Sequence, residues 1–196
     1  MTTFTRQLKT INSTTSKTLV TGDELLEMGD IGPVELINGE IIEQMPTGSR
    51  HAKIEGLITF FLINFLRTVN LGHILTGEAG VYTQRNPDTI RAMDIGFISN
   101  ERMNKAQRDG YLDVAPELIV EVMSPNDRWV DIQEKLAEYF NIGVLLVWLV
   151  DPQLEQIHVY RSLDDVRRLT AENELTAPEI LPGFAVPVTE IFETTE

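Results

Sequence analysis

Residues 115–140 read APELIVEVMSPNDRWVDIQEKLAEYF. From Leu118 to Met123 the chain is apolar on both faces, the pattern of a strand buried in the middle of a sheet, yet Glu121 stands inside it. A lone buried carboxylate costs several kcal/mol, so a partner must hold this one. The residues after it predict a helix from about Arg128 to Asn141, with Asp127 as its N-cap and Asp131 as a first-turn partner of the helix dipole. Trp129, Ile132, Leu136, Tyr139 and Phe140 form its apolar face, and Lys135 projects at the edge of that face beside Tyr139. From there Lys135 can reach back to the sheet. The competing reading is an i,i+4 ion pair with Asp131 on a solvated surface, worth a few tenths of a kcal/mol.

A second strand supplies another carboxylate. In IRAMDIGFIS, residues 90–99, Met93, Ile95 and Phe97 alternate onto one face, while Asp94 shares the other with Ala92, Gly96 and Ile98. In the later strand Ile119, Glu121 and Met123 take one face and Leu118, Val120 and Val122 the opposite one. If the two strands are neighbours, Asp94 and Glu121 converge. Two close carboxylates repel each other, and a hard divalent cation such as Mg²⁺ or Mn²⁺ relieves that repulsion through oxygen ligands. A lysine beside such a cation can orient an attacking water or stabilise the charge that develops when a phosphodiester is cleaved.

The rest of the chain frames these elements. TGDELLEMGD predicts a short helix capped by Thr21, and VELINGEIIEQMP a hairpin turning at Asn38-Gly39. SRHAKIEGLITFFLINFLRTVN predicts a long helix capped by Ser49, apolar nearly all round in its second half and so buried on more than one side, in part against another subunit. Further strands are expected near His73 to Thr83, and in VLLVWLVD and QIHVYRS. The sum is an α/β fold with a mixed central sheet flanked by helices, preceded by an N-terminal helix and β-hairpin. Residues 1–18 read as a loose arm and 19–196 as one domain.

Charge and composition limit the partners. Sixteen basic against 30 acidic residues give a net charge of −14, which works against polyanions and anionic membranes. Without cysteine there is neither a disulfide framework nor a thiolate metal site. The first twenty residues carry no apolar run of signal-peptide length and no later segment is of spanning length, so the chain reads as cytoplasmic. In ERMNKAQRDG, Arg102, Lys105 and Arg108 would form a basic stripe on a helix, with Arg85, Arg91 and Arg128 as scattered additions.

The series ELINGEIIE, HAKIEGLI, IRAMDIGFIS, PELIVEVMSPNDRWVDIQEKLAEYFNIGVLLVWLVDP and LPGFAVPVTEIF closely resembles the Uma-type putative restriction endonuclease family, part of the PD-(D/E)XK nuclease superfamily. The resemblance spans roughly residues 20 to 193. It implies a restriction-endonuclease-like core with Asp94 and Glu121 as metal carboxylates for Mg²⁺ or Mn²⁺, and Lys135 as a lysine displaced from the strand onto the next helix. It also adds Glu40 and His51 to the cleft. Read locally, Glu40 follows a turn glycine, where an exposed acid needs no explanation, and His51 with Glu55 makes an ordinary i,i+4 surface pair. Glu78, in TGEAG, is either a residue near the cleft or part of a loop, and is left out of the site. Where the family commonly has proline before its aspartate, this chain has Met93. Two functions are in view: a metal-dependent endonuclease acting on DNA, and a non-catalytic binding or assembly module that keeps the nuclease fold. A homodimer or higher homo-oligomer is expected, and no membrane partner.

Overall fold

The computed structural model describes residues 18–107 and 109–193, so the expected arm, apart from Thr18, and Arg108 of the expected basic stripe lie outside the described residues. The chain opens with α1 (Gly22–Glu27) and a hairpin of β1 (Val34–Ile37) and β2 (Glu40–Glu43). Thr21 and Glu24 close α1 reciprocally: the Thr21 hydroxyl accepts from the Glu24 backbone N–H at 3.2 Å, and the Glu24 carboxylate accepts from the Thr21 N–H at 2.8 Å. Asn38 and Gly39 turn the hairpin with φ of 50° and 78°, the left-handed pair that a two-residue turn requires.

The long helix α2 (Ser49–Leu66) leads into two long strands, β3 (Gly72–Gln84) and β4 (Thr89–Ser99), then the short α3 (Asn100–Met103) and β5 (Leu118–Val122). The second long helix, α4 (Trp129–Ile142), is followed by β6 (Leu146–Asp151), β7 (Gln156–Tyr160) and β8 (Val166–Leu169). A small hairpin, β9 (Glu174–Ala177) and β10 (Leu181–Pro187), and α5 (Val188–Phe192) complete the described chain.

Eight strands form one sheet in the order β2-β1-β4-β5-β6-β7-β8, with β3 also on β4. Among the described strands only β5 and β6 pair in parallel, which makes the sheet mixed. The pairing around β4 decides where a site can form. Its one edge is covered by β3 along nearly its whole length. Its other edge is shared: β1 pairs at Leu36↔Ile90 and β5 at Ile95↔Val120. Between those two contacts the backbone of β4 from Arg91 to Asp94 faces no strand, and its polar groups must find side chains instead.

Helix α2 packs on one face of the sheet through Ile54, Ile58 and Leu62, joined there by the β9-β10 hairpin and α5 through Leu175, Phe184 and Ile191. Helix α4 packs on the other face through Leu136 and Tyr139 against Ile119, Val147 and Leu149. Each fully buried Leu or Ile contributes about 1.5–3 kcal/mol from area removed from water, so the sheet is clamped from both sides.

Three local expectations are corrected. The N-cap of α2 is Gly48, with Ser49 as the first helical residue and no side-chain cap. The second half of α2 is not wrapped all round: Leu62 is buried, but Phe60 is 59% and Ile63 45% exposed, because the sheet covers one stripe only. At α4 the N-cap is Arg128, and Asp127 accepts from the Ser124 N–H at 2.7 Å, closing the preceding turn instead.

Candidate active site

The site grows out of the stretch of β4 that, on the edge away from β3, neither β1 nor β5 pairs. There Ala92 offers its N–H and C=O to the gap between β1 and β5. Glu35, from β1, accepts the Ala92 N–H at 3.0 Å, and Lys135, from α4, donates to the Ala92 carbonyl at 2.8 Å. Side chains thus complete the ladder that no strand reaches. The same lysine donates to Glu121 Oε2 at 2.9 Å and stands 3.4 Å from Glu35 Oε1, while the Tyr139 hydroxyl donates to Glu121 Oε1 at 2.6 Å. Glu121 is therefore held inside an apolar strand by one ammonium and one phenol, both from α4. The alternative pairing of Lys135 with Asp131 does not form; Asp131 lies 3.7 Å from Arg128.

Asp94 arrives from the other side. The alternation expected through Met93, Ile95 and Phe97 breaks at this residue. Met93 packs with the α4 face, close enough to Gly96 that a Cβ there would meet its sulfur at 2.8 Å, whereas Ile95 and Phe97 pack with the α2 face. Opposite the break, β3 bulges: its register jumps from Thr76↔Ile95 to Ala79↔Met93, and Gly77 and Glu78 both take positive φ. The Asp94 carboxylate then accepts from the Val122 N–H at 2.7 Å and stands 3.4 Å from His51 Nε2 on α2. His51 is 7% exposed, and its Nε2 faces the Asp94 carboxylate while its Nδ1 has no hydrogen-bond partner among the described residues.

Electrostatics follow from this crowding. Burial, relieved in part by Lys135 and aggravated by Asp94, pushes the Glu121 carboxyl up to about 7. Burial alone would lower the Lys135 pKa, but Glu121 and Glu35 beside it raise it, so the side chain stays cationic at neutral pH. The asymmetry within the pair has a plain cause: several carboxylates share one ammonium. Burial first and the Asp94 charge second raise the Glu55 and Glu78 carboxyls as well. Burial is the largest influence on His51 and would lower it, but Asp94, Glu55 and Glu78 together raise it on balance.

Of the residues expected in the site, Asp94, Glu121, Lys135 and His51 come together. Glu40 stands apart: it lies opposite Ile37 at the turn end of the hairpin, two residues from the Ile42 that faces Glu35, and does not line the cleft. The hairpin acid that enters the site is Glu35, 6% exposed, and it brings Arg91 with it. Arg91 donates to Glu35 at 3.0 Å and to both oxygens of Glu138. The sequence did not single out Glu35 or Tyr139 for the site; Glu78, weighed and left out, lies within electrostatic reach of Asp94, Lys135 and His51. Glu35 carried the same signal as Glu121, an acid between apolar residues of a strand. The basic stripe dissolves: α3 ends at Met103, Arg102 turns inward to the carbonyls of Ala115, Pro116 and Gly143, and Lys105 pairs with Glu101.

A cleft of about 470 Å³ is lined by Glu35, Arg91, Glu121, Lys135, Gln44 and Arg128, whereas His51 lines a separate cleft of about 350 Å³ together with Met123 and Asp127, and Asp94 lines neither. Among the described residues no three His, Cys, Asp or Glu side chains are set as a ready-made metal cage. The donor set nonetheless suits a hard divalent cation of the Mg²⁺ type, which is held by one or two carboxylates together with substrate phosphate and water. Asp94 and Glu121 are the carboxylates that could hold one: burial first, and the Asp94 charge in addition, push the Glu121 carboxyl up, an excess of negative charge that a cation would neutralise.

A mixed sheet between helical layers, with two acids and a lysine meeting at a split strand edge, defines a protein with a nuclease-like fold. The chain belongs to the family whose model carries the description "Putative restriction endonuclease" (Uma2), which matches residues 23–189 of the 196. The fold is similar to the crystal structure of a protein from Anabaena variabilis described as a putative nuclease belonging to DUF820: TM-score 0.73, 20% identity, covering 88% of this chain and 97% of that one. No curated protein matches the chain.

Proposed function

We propose that this protein is a divalent-metal-dependent phosphodiesterase, an endonuclease acting on DNA, with Asp94 and Glu121 as the residues that hold Mg²⁺ or Mn²⁺. One observation carries the reading: Lys135, from a helix, reaches 43 residues back to the Ala92 carbonyl while also contacting Glu121, so both acid-bearing strands and the lysine meet at one point. When bound, the cation supplies charge neutralisation for the phosphoryl oxygens. Asp94 is aimed by the Val122 N–H, and Glu121 by Tyr139. Lys135, cationic in this setting, stabilises negative charge developing on the phosphate. Its place at 22% exposure among Glu121, Glu35 and a backbone carbonyl suits a compact ammonium better than a planar guanidinium.

The test compares wild type, Asp94→Ala, Glu121→Ala and Lys135→Ala from identical preparations, by calorimetric titration of Mn²⁺ and by cleavage of plasmid and single-stranded DNA. Loss of either acid should weaken Mn²⁺ binding. Lys135→Ala should keep Mn²⁺ affinity and lose on the order of 10²- to 10⁴-fold in cleavage rate. Equal Mn²⁺ affinity in all four proteins would remove the metal assignment, and wild-type cleavage by Lys135→Ala would assign the activity to another site or a contaminant.

A further inference from the structure

The cleft lined by Glu121 and Lys135 is a poor place to hold phosphates by charge. Five carboxylates line it against three cations, and each of those cations is already committed: Arg91 to Glu35 and Glu138, Lys135 to Glu121, and Arg128 to Asp131. With a net charge of −14 around it, the chain lacks the electrostatic grip by which proteins commonly hold duplex backbone. What the lips of the cleft offer instead is apolar surface. On the hairpin side Ile42 lines the cleft at 39% exposure, and Met45, next to the lining residue Gln44, is 86% exposed. On the helix side Arg128 and Ile132 line it, and between them Trp129, the first residue of α4, is 54% exposed. The helical spacing puts Trp129 on the apolar face with Ile132, Leu136 and Tyr139, yet at the first position of α4 it stays 54% exposed.

We propose that Trp129 stacks on an unpaired nucleobase of the strand being cleaved, so that the substrate is a single-stranded or frayed nucleic acid rather than the interior of an intact duplex. This rests on the phosphodiesterase reading and adds its substrate class. An exposed tryptophan offers a rigid flat surface to which every base can bind, and the interaction needs no uncompensated positive charge. Bases inside a duplex are paired and stacked on one another, and turning one out costs a few kcal/mol. A cleft with so little cationic surface has little with which to offset that cost.

The protein supplies its own probe. It has two tryptophans, and Trp148 is fully buried and stacked on Phe184, so a change in emission on adding nucleic acid reports on Trp129. Full-length protein is titrated, with Ca²⁺ present and again with EDTA, against short oligothymidylate and against a duplex closed by hairpins at both ends. Oligothymidylate should quench the emission saturably and the closed duplex should not. Trp129→Ala, at an exposed position that leaves the core intact, should abolish the quenching and weaken binding of a labelled oligothymidylate by on the order of 10- to 100-fold. Trp129→Phe should retain most of that affinity, and binding should depend only shallowly on salt. Wild-type affinity in Trp129→Ala, binding of the closed duplex as tight as that of oligothymidylate, or no oligothymidylate binding by wild type would each overturn the inference. So would self-association that Trp129→Ala removes and oligothymidylate leaves unchanged, which would assign the lip to a second copy of the chain. None of these outcomes bears on Mn²⁺ binding at Asp94 and Glu121, which judges the phosphodiesterase reading separately.

Discussion

At the scale of residues, the placement of Glu121 was legible and its partners only in part. An acid inside a run apolar on both faces is a local anomaly, and that anomaly pointed correctly to Lys135 on the following helix. Tyr139 was hidden because a tyrosine on an apolar helix face packs like any large hydrophobe, and its hydroxyl declares itself only when a carboxylate stands 2.6 Å away. Glu40 entered the expected site through the family resemblance alone, and Glu35 was not singled out. Strand alternation alone does not separate them, since Glu35 and Glu40 share a face of the hairpin and differ in how far along it they lie. The Glu121 environment also has a consequence for stability. Its carboxyl titrates near 4.5 when unfolded and is raised to about 7 in the folded protein, where Lys135 and Tyr139 touch it and Asp94 and Glu35 lie near. The folded state therefore binds the extra proton between those values, and stability present at low pH is lost as pH rises through about 7. Glu55 and Glu78, also raised, add slopes of the same sign. Denaturant titrations in EDTA across this range should show wild type weakening with pH and Glu121→Gln weakening less. An identical slope in both would mean that Glu121 is not the buried acid responsible.

At the scale of elements, local signals placed α1, the hairpin, both long helices and the central strands to within a few residues, because caps, turn pairs and periodicity are properties of short windows. What they missed is tertiary. Strands β8, β9 and β10 went unread since VRRL carries two arginines, ELTA is only four residues long, and LPGFAVP is interrupted by proline and glycine. The face reversal at Asp94 depends on a bulge in a different strand, which no window around IRAMDIGFIS contains. Arg102 looked solvated, yet it spans from the start of β5 to the end of α4 by donating to Ala115, Pro116 and Gly143. Helix α2 shows the apolar excess the sequence predicts, and within the single chain its outer stripe, Phe60 and Ile63, faces outward. We infer that this outer stripe is where copies of the chain meet. Sedimentation of the wild type at micromolar concentration should give a species above 22.1 kDa, and Phe60→Asp with Ile63→Asp should return it to the monomer. Both substitutions are at exposed positions and spare the core. A wild type that already sediments as a monomer would show that the stripe is simply tolerated by the surface.

At the scale of the whole molecule, composition spoke most clearly and least specifically. A charge of −14 argued against a general polyanion binder, and the fold explains how an acidic chain keeps its site acids in place: Glu35, Asp94 and Glu121 are tied to a split sheet edge by a handful of cations and N–H groups that leave the region negative overall. Such a molecule has two separable responses to ions. Monovalent salt screens the diffuse self-repulsion of the surface and should raise the melting temperature gradually. A divalent cation held by Asp94 and Glu121 should add stability beyond that screening, because a ligand bound only by the folded state stabilises it by mass action, about 2.7 kcal/mol at a hundred times its dissociation constant. For a chain of this size that corresponds to a rise of roughly 5 to 10 °C. Melting curves in Mn²⁺ and in NaCl matched for ionic strength isolate this increment. The double variant Asp94→Asn, Glu121→Gln should melt identically in the two salts, and should be at least as stable as wild type without metal because a buried mutual repulsion is gone. A wild type that gains nothing from Mn²⁺ over matched NaCl would place the acids among structural groups, and the constellation at the split edge would then serve to lock β1, β4, β5 and α4 together.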